Sequence, residues 1–207
     1  MRSRAYRRSR SGMKWAAGSR TIGNGSIDRL RRRRVRYMSR VRIANQKHPE
    51  LDTIDLQMME RAIELARSAA SDDEIPVGAV IYRGEEIIAE AANNREATGD
   101  PTGHAELVAL RIAGKRLGSW RLEGCSMAVT LEPCPMCAGA LVNARLKRLI
   151  YGAFDRKAGA CCSLFKIPED QRLNHRVDMI GGVEEERCAE LLRAFFRRRR
   201  AEKRKAG

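Results

Sequence analysis

The chain has 207 residues, 43% of them hydrophobic and 32% charged, a balance that suits one globular domain around a single core. Its mean hydropathy of −0.49 and the lack of any apolar run approaching about 18 residues exclude a membrane span. The net charge of +15 is uneven: residues 1–50 carry 16 Lys and Arg against Asp28 and Glu50, residues 193–207 carry 8 against Glu202, and the stretch between holds 17 basic and 23 acidic residues. Basic ends on a mildly acidic body point to a polyanionic partner, either nucleic acid or an anionic surface.

Residues 1–50 show little periodicity, contain four glycines and the run Arg31 to Arg34, and are expected to form a basic extension without a fixed fold. Being Arg-rich and acid-poor, they also have the composition of an organellar transit peptide. From Thr53 the pattern changes. Met58, Met59, Ala62, Ile63, Ala66, Ala69 and Ala70 recur at helical spacing and predict an amphipathic helix over 53–70. Apolar, β-branched residues 76–82, a turn at Arg83-Gly84-Glu85 and an extended stretch over 86–92 read as a hairpin. Residues 93–103 read as loop, 104–115 as helix, 125–131 as strand, 135–144 as helix, 146–153 and 177–180 as strands, and 183–200 as a long helix followed by a basic tail over 201–207. The expected fold is α/β: three layers, with a mixed five-stranded sheet, parallel beyond its hairpin, flanked by helices. Residues 51–200 are expected to form the folded domain that carries the chemistry.

Six cysteines with no apolar h-region behind the basic N-terminus indicate a reducing, cytoplasmic setting. Cys134-Pro135-Met136-Cys137 opens a helix, which places two thiols on one face beside N–H groups that favour thiolates. A structural zinc site needs four protein ligands, whereas a catalytic one needs three and leaves a corner for water. Of the three histidines, His104 begins a helix after a Pro/Gly loop, while His48 lies in the extension and His175 in a late loop. His104, Cys134 and Cys137 are therefore the candidate ligands. A capping histidine and two buried thiols would account for either piece alone, but not for their conjunction. Glu106 is the candidate proton shuttle, although two positions apart on a regular helix diverge by about 200°.

His104-x-Glu106 followed by Pro133-Cys134-x-x-Cys137 matches the signature by which zinc nucleobase deaminases are recognised. Ile75 to Val80, Asp100 to Glu106, Thr130 to Cys134, Gly152 to Asp155, Asn174-His175-Arg176 and Phe195-Phe196-Arg197 more closely resemble bacterial tRNA-specific adenosine deaminases, over roughly 55–200. The resemblance implies a cytidine deaminase-like fold, a homodimer with one zinc per subunit, and hydrolysis of the wobble adenosine of a tRNA anticodon stem-loop to inosine by zinc-activated water. It implies further that His104, Cys134 and Cys137 hold the metal and that Glu106 moves protons. Asn94, Ala105 and Asp155 would contact the substrate, and Asn174, His175, Arg176, Phe196, Arg197 and Arg198 are candidate RNA contacts. Gly103, where the family commonly has Ala, and Cys161-Cys162, where it has small residues, depart from the pattern. The competing expectations are a deaminase of a free base or nucleoside and a non-catalytic RNA-binding zinc protein.

Overall fold

The structure, a computed structural model, describes residues 51–206, so the expectation for 1–50 lies outside the described residues. Helix α1, Thr53–Ser71, starts where Asp52 accepts from the Asp55 amide while Asp55 reaches back to the Asp52 amide, a reciprocal cap. Its predicted apolar positions are buried except Ala70, which is half-buried at the last turn. Strands β1, Gly78–Arg83, and β2, Glu86–Ala92, form the hairpin, with a register irregularity between Ile81 and Tyr82.

The 93–103 segment is not wholly loop: it contains a single-turn helix α2, Arg95–Thr98, none of whose residues is buried. Four residues with none buried cannot generate a readable apolar stripe. Helix α3 spans Ala105–Leu117, strand β3 Ser126–Leu131, helix α4 Pro135–Asn143, and strands β4 and β5 Arg148–Ala153 and Asp178–Gly181. Helix α5, Glu185–Ala206, runs past Arg200, so most of the expected tail is helical.

The sheet order is β2-β1-β3-β4-β5; β1 pairs antiparallel with β2 and β3, and β3, β4 and β5 run parallel. Side chains alternate cleanly between its faces. Ala79, Ile81, Met127, Val129, Leu149 and Tyr151 pack with α3 and α4, whereas Val80, Tyr82, Ala128, Ile150 and Ile180 pack with α1 and α5. Burial on both faces explains why the central strands read as continuous apolar runs. The α/β layering matches the expectation, and it brings the starts of α3 and α4 to the carboxyl end of β3, the usual place for a site in such sheets.

Candidate metal centre and active site

Two helix starts build the cluster. His104 caps α3 with extended backbone, φ −79° and ψ 142°, and Cys134 caps α4 with φ −71° and ψ 173°, followed by Pro135 at the first helical position. Cys137 sits one turn further on, buried. The ring Nδ1 of His104 lies 3.7 Å from the Cys134 sulfur and 3.5 Å from that of Cys137, and all three donor atoms fall within 4.8 Å of one another. Tetrahedral zinc, with bonds of about 2.3 Å to sulfur and about 2.0 Å to nitrogen, holds such ligands about 3.5–3.8 Å apart. The donors fit the ion in kind and in spacing.

Electrostatics point the same way. The two sulfurs behave as a pair: the hydrogen bond from Cys137 draws Cys134 down to about 4 against its burial, with His104 helping, while Cys137, donating to that thiolate and buried, is pushed far up. A cation between them accepts both as thiolates and removes the conflict. Hydrogen bonding to Cys134 raises the His104 imidazole, and Glu106 adds to the rise.

Glu106 is only 4% exposed, and burial pushes its carboxyl up, offset in part by its own backbone N–H and by His104. It also interacts with both sulfurs. The angular objection to a ligand and a shuttle two residues apart is met by the backbone: His104 is a cap and not a helical residue, so its side chain and that of Glu106 meet over the same cluster.

The residues around the cluster are arranged by loops. Asn94 caps α2; its amide donates to the Gly103 carbonyl at 2.9 Å, and its Oδ1 is buried without a hydrogen-bond partner. A Cβ at Gly103 would stand 2.5 Å from that Oδ1, so a larger residue here would have to shift the Asn94 side chain. Glu74, buried at the end of the turn after α1, accepts from the Ala97 amide at 2.7 Å and from the Asn93 side chain at 3.4 Å, which fixes the Asn94 turn. Ala105 is fully buried at the first position of α3. Asp155, half-buried after β4, caps its own loop by accepting from the Lys157 and Ala158 amides. Neither Glu74 nor Glu132 was a sequence candidate, since each works through residues 20 to 30 positions away; a carboxylate next to Pro133-Cys134 at the end of an apolar strand was the available clue.

The candidate RNA contacts lie apart from this cluster in kind. Asn174 accepts from the Arg145 guanidinium at 2.9 Å through its side chain, and the His175 Nε2 is 2.7 Å from the Leu146 carbonyl, so both fasten the loop before β5 to the end of α4. Arg176 is exposed. On α5, Phe195 is 6% exposed and Phe196 42%, which assigns the first to the core. Arg197 pairs with Glu190 at 2.7 Å, and Arg198 reaches Asp73 at 2.7 Å and the Ala70 carbonyl at 2.8 Å, docking α5 against the end of α1. Cys161 and Cys162 are buried, and all six cysteines are free thiols.

Comparison with known proteins decides the family. Residues 52–153 match the model of the cytidine and deoxycytidylate deaminase zinc-binding region. The chain is 45% identical over 154 residues to the tRNA-specific adenosine deaminase of Bacillus subtilis (strain 168), covering 74% of this chain and 96% of that protein. It belongs to the tRNA-specific adenosine deaminase family. The deaminase is equally similar, at 45% over 150 residues, to the tRNA-specific adenosine deaminase of Haemophilus influenzae, covering 72% of this chain and 87% of the relative. A solved structure from a study of A-to-I editing by tRNA:A34 deaminases superposes with a TM-score of 0.64 at 42% identity, over 66% of this chain and 99% of the other. The fold is thus the cytidine deaminase-like one, and the metal of the deaminase is zinc.

Proposed function

We propose that the protein hydrolyses adenosine to inosine at the wobble position of a tRNA anticodon, releasing ammonia. The observation that carries this reading is the His104-Cys134-Cys137 cluster with the buried Glu106 beside it, in a chain 45% identical to tRNA-specific adenosine deaminases. His104, Cys134 and Cys137 hold the metal. Zinc, when bound, supplies the Lewis acidity that makes water a nucleophile near neutral pH.

Glu106 does the proton work. Burial that disfavours its charged form gives the carboxyl a proton affinity suited to taking one proton from the attacking water and delivering it to the purine ring nitrogen, then moving the proton of the newly added hydroxyl to the amine, which leaves as ammonia as the carbonyl forms. Asn94 presents its unpartnered Oδ1 to the base, and the amide at Ala105, at the start of α3, faces the reacting centre. Asp155 contacts the neighbouring nucleotide. A base stacked in a duplex cannot enter such a pocket; an anticodon loop offers an unstacked one.

The exposed Arg176, Phe196 and Arg197, together with Arg198, form the RNA surface, with Asn174 and His175 shaping its loop. The protein acts as a cytoplasmic homodimer. Supporting a second copy is the apolar groove between α3 and α4, lined by Leu107, Leu110, Leu122 and Ala140 beside Trp120, which is 63% exposed. Residues 51–200 constitute the deaminase domain, with 1–50 as a basic extension and the last turns of α5 as a basic end. No helix among the described residues is long and apolar enough to cross a membrane.

The test is incubation with an anticodon stem-loop carrying adenosine at position 34, in parallel with free adenosine, cytosine and guanine. Inosine in the stem-loop, with free bases left unchanged, is expected. Ammonia from a free base and none from the stem-loop would assign a small-molecule deaminase instead.

A further inference from the structure

Glu132 is a carboxylate 2% exposed, two residues before Cys134. Five donors from one distant loop hold it. Its Oε1 accepts from three successive amides, Cys161 at 3.1 Å, Cys162 at 2.7 Å and Ser163 at 2.8 Å; its Oε2 accepts from the Asp155 amide at 3.0 Å and from the Ser163 hydroxyl. Consecutive N–H groups converging on one oxygen make an anion nest, here occupied by the protein's own side chain. The loop closes tightly over it: a Cβ on Gly159 would stand 2.4 Å from the carboxylate carbon. The Ala160 amide adds a bond to the Pro133 carbonyl at 2.8 Å, and the Glu132 amide donates to the Ala153 carbonyl at 2.8 Å.

These bonds tie two parts of the site together. One end of the network is the Glu132-Pro133 turn that delivers Cys134, and the other is the segment that carries Asp155, whose own carboxylate is then aimed by the Lys157 and Ala158 amides. We propose that Glu132 is a positioning residue: its buried carboxylate holds the Asp155 loop in register with the Cys134 turn, so that the loop meets RNA preformed. Had the loop to order itself on binding, it would lose affinity in doing so. The inference rests on the proposed RNA deamination and on Asp155 facing the substrate, and it assigns Glu132 no contact with either.

The test is Glu132→Gln, which keeps the shape and one acceptor oxygen but turns an NH2 toward two of the donors. Amide hydrogen exchange at Asp155, Cys161, Cys162 and Ser163 is expected to quicken at least about tenfold, with amides inside α4 unchanged. On the anticodon stem-loop, KM should rise about tenfold with kcat within about threefold, and Glu132→Gln should add nothing to the penalty of Asp155→Ala in a double-mutant cycle. Unchanged exchange at those four amides, additive penalties, or a kcat that falls together with zinc content would overturn the proposal. If wild-type protein makes no inosine, the substrate reading fails, and the exchange arm still decides the role of Glu132. Should the Gln variant not fold, Gly159→Ala pushes the same loop off an intact carboxylate and must raise KM likewise; an unchanged KM there contradicts the proposal.

Discussion

Between His104 and Glu106 the backbone passes from extended to helical, and that single change lets the candidate metal ligand and the proposed proton carrier, two positions apart, serve one cluster. Read as a regular helix, the pair diverges; His104 is instead the extended cap, entered from a turn in which Asp100 accepts from the Thr102 amide and hydroxyl at 2.7 Å each. The three clustered side chains were legible as candidate ligands because the residue types and the Cys-x-x-Cys spacing are local. Their support was not: the donors to Glu132 lie about 30 positions away, and no local pattern encodes them. His104→Ala should lower bound zinc from about one per chain to well below that, since two thiolates alone leave the ion half-coordinated; elemental analysis of the purified variant checks this. A second residue-scale prediction concerns Tyr82, whose hydroxyl donates to the buried Asp55 at 2.5 Å while Arg148 pairs with the same carboxylate at 2.8 Å. Tyr82→Phe leaves Asp55 short of a donor and should cost about 1–3 kcal/mol in denaturant unfolding.

At the scale of elements, the strands and four long helices follow from apolar periodicity, and their ends deviate from the expected positions where caps or pairing decide. β4 starts at Arg148, two residues later than apolarity alone predicts, because Leu146 is buried outside the sheet ladder with its amide bonded to the Leu141 carbonyl. α2 was unreadable for want of buried residues. The face of α1 offers a contrast to measure: Met59 is fully buried and Leu56 is 43% exposed on the same helix. Met59→Ala should lose about 2–5 kcal/mol, whereas Leu56→Ala should stay within about 0.5 kcal/mol. Equal effects would mean that α1 is not seated on the sheet as described.

Across the whole molecule, charge and chemistry are separated. The zinc cluster sits at the carboxyl end of β3 inside a mildly acidic body, while cations gather on the last turns of α5, where Arg199, Arg200, Lys203, Arg204 and Lys205 are exposed. The excess of basic residues was plain in the sequence; which of them are engaged in the fold was not, because the pairing of Arg198 with Asp73 spans 125 positions. Replacing the five exposed cations with Gln should flatten the salt dependence of tRNA binding, its logarithmic slope falling by about 0.7–0.9 for every phosphate the tail no longer neutralises. An unchanged slope would remove this end of α5 from the RNA surface.

In the proposed reaction, a zinc held by His104, Cys134 and Cys137 works with Glu106 on an adenosine in RNA. It is tested most directly by measuring inosine formation in the anticodon stem-loop and bound zinc in the same samples of wild-type protein and Glu106→Gln. About one zinc per chain is expected in both, with inosine from the wild type and a fall of at least about a hundredfold in the variant. A variant that still converts the stem-loop at near the wild-type rate, or one whose lost activity tracks lost zinc, would contradict it.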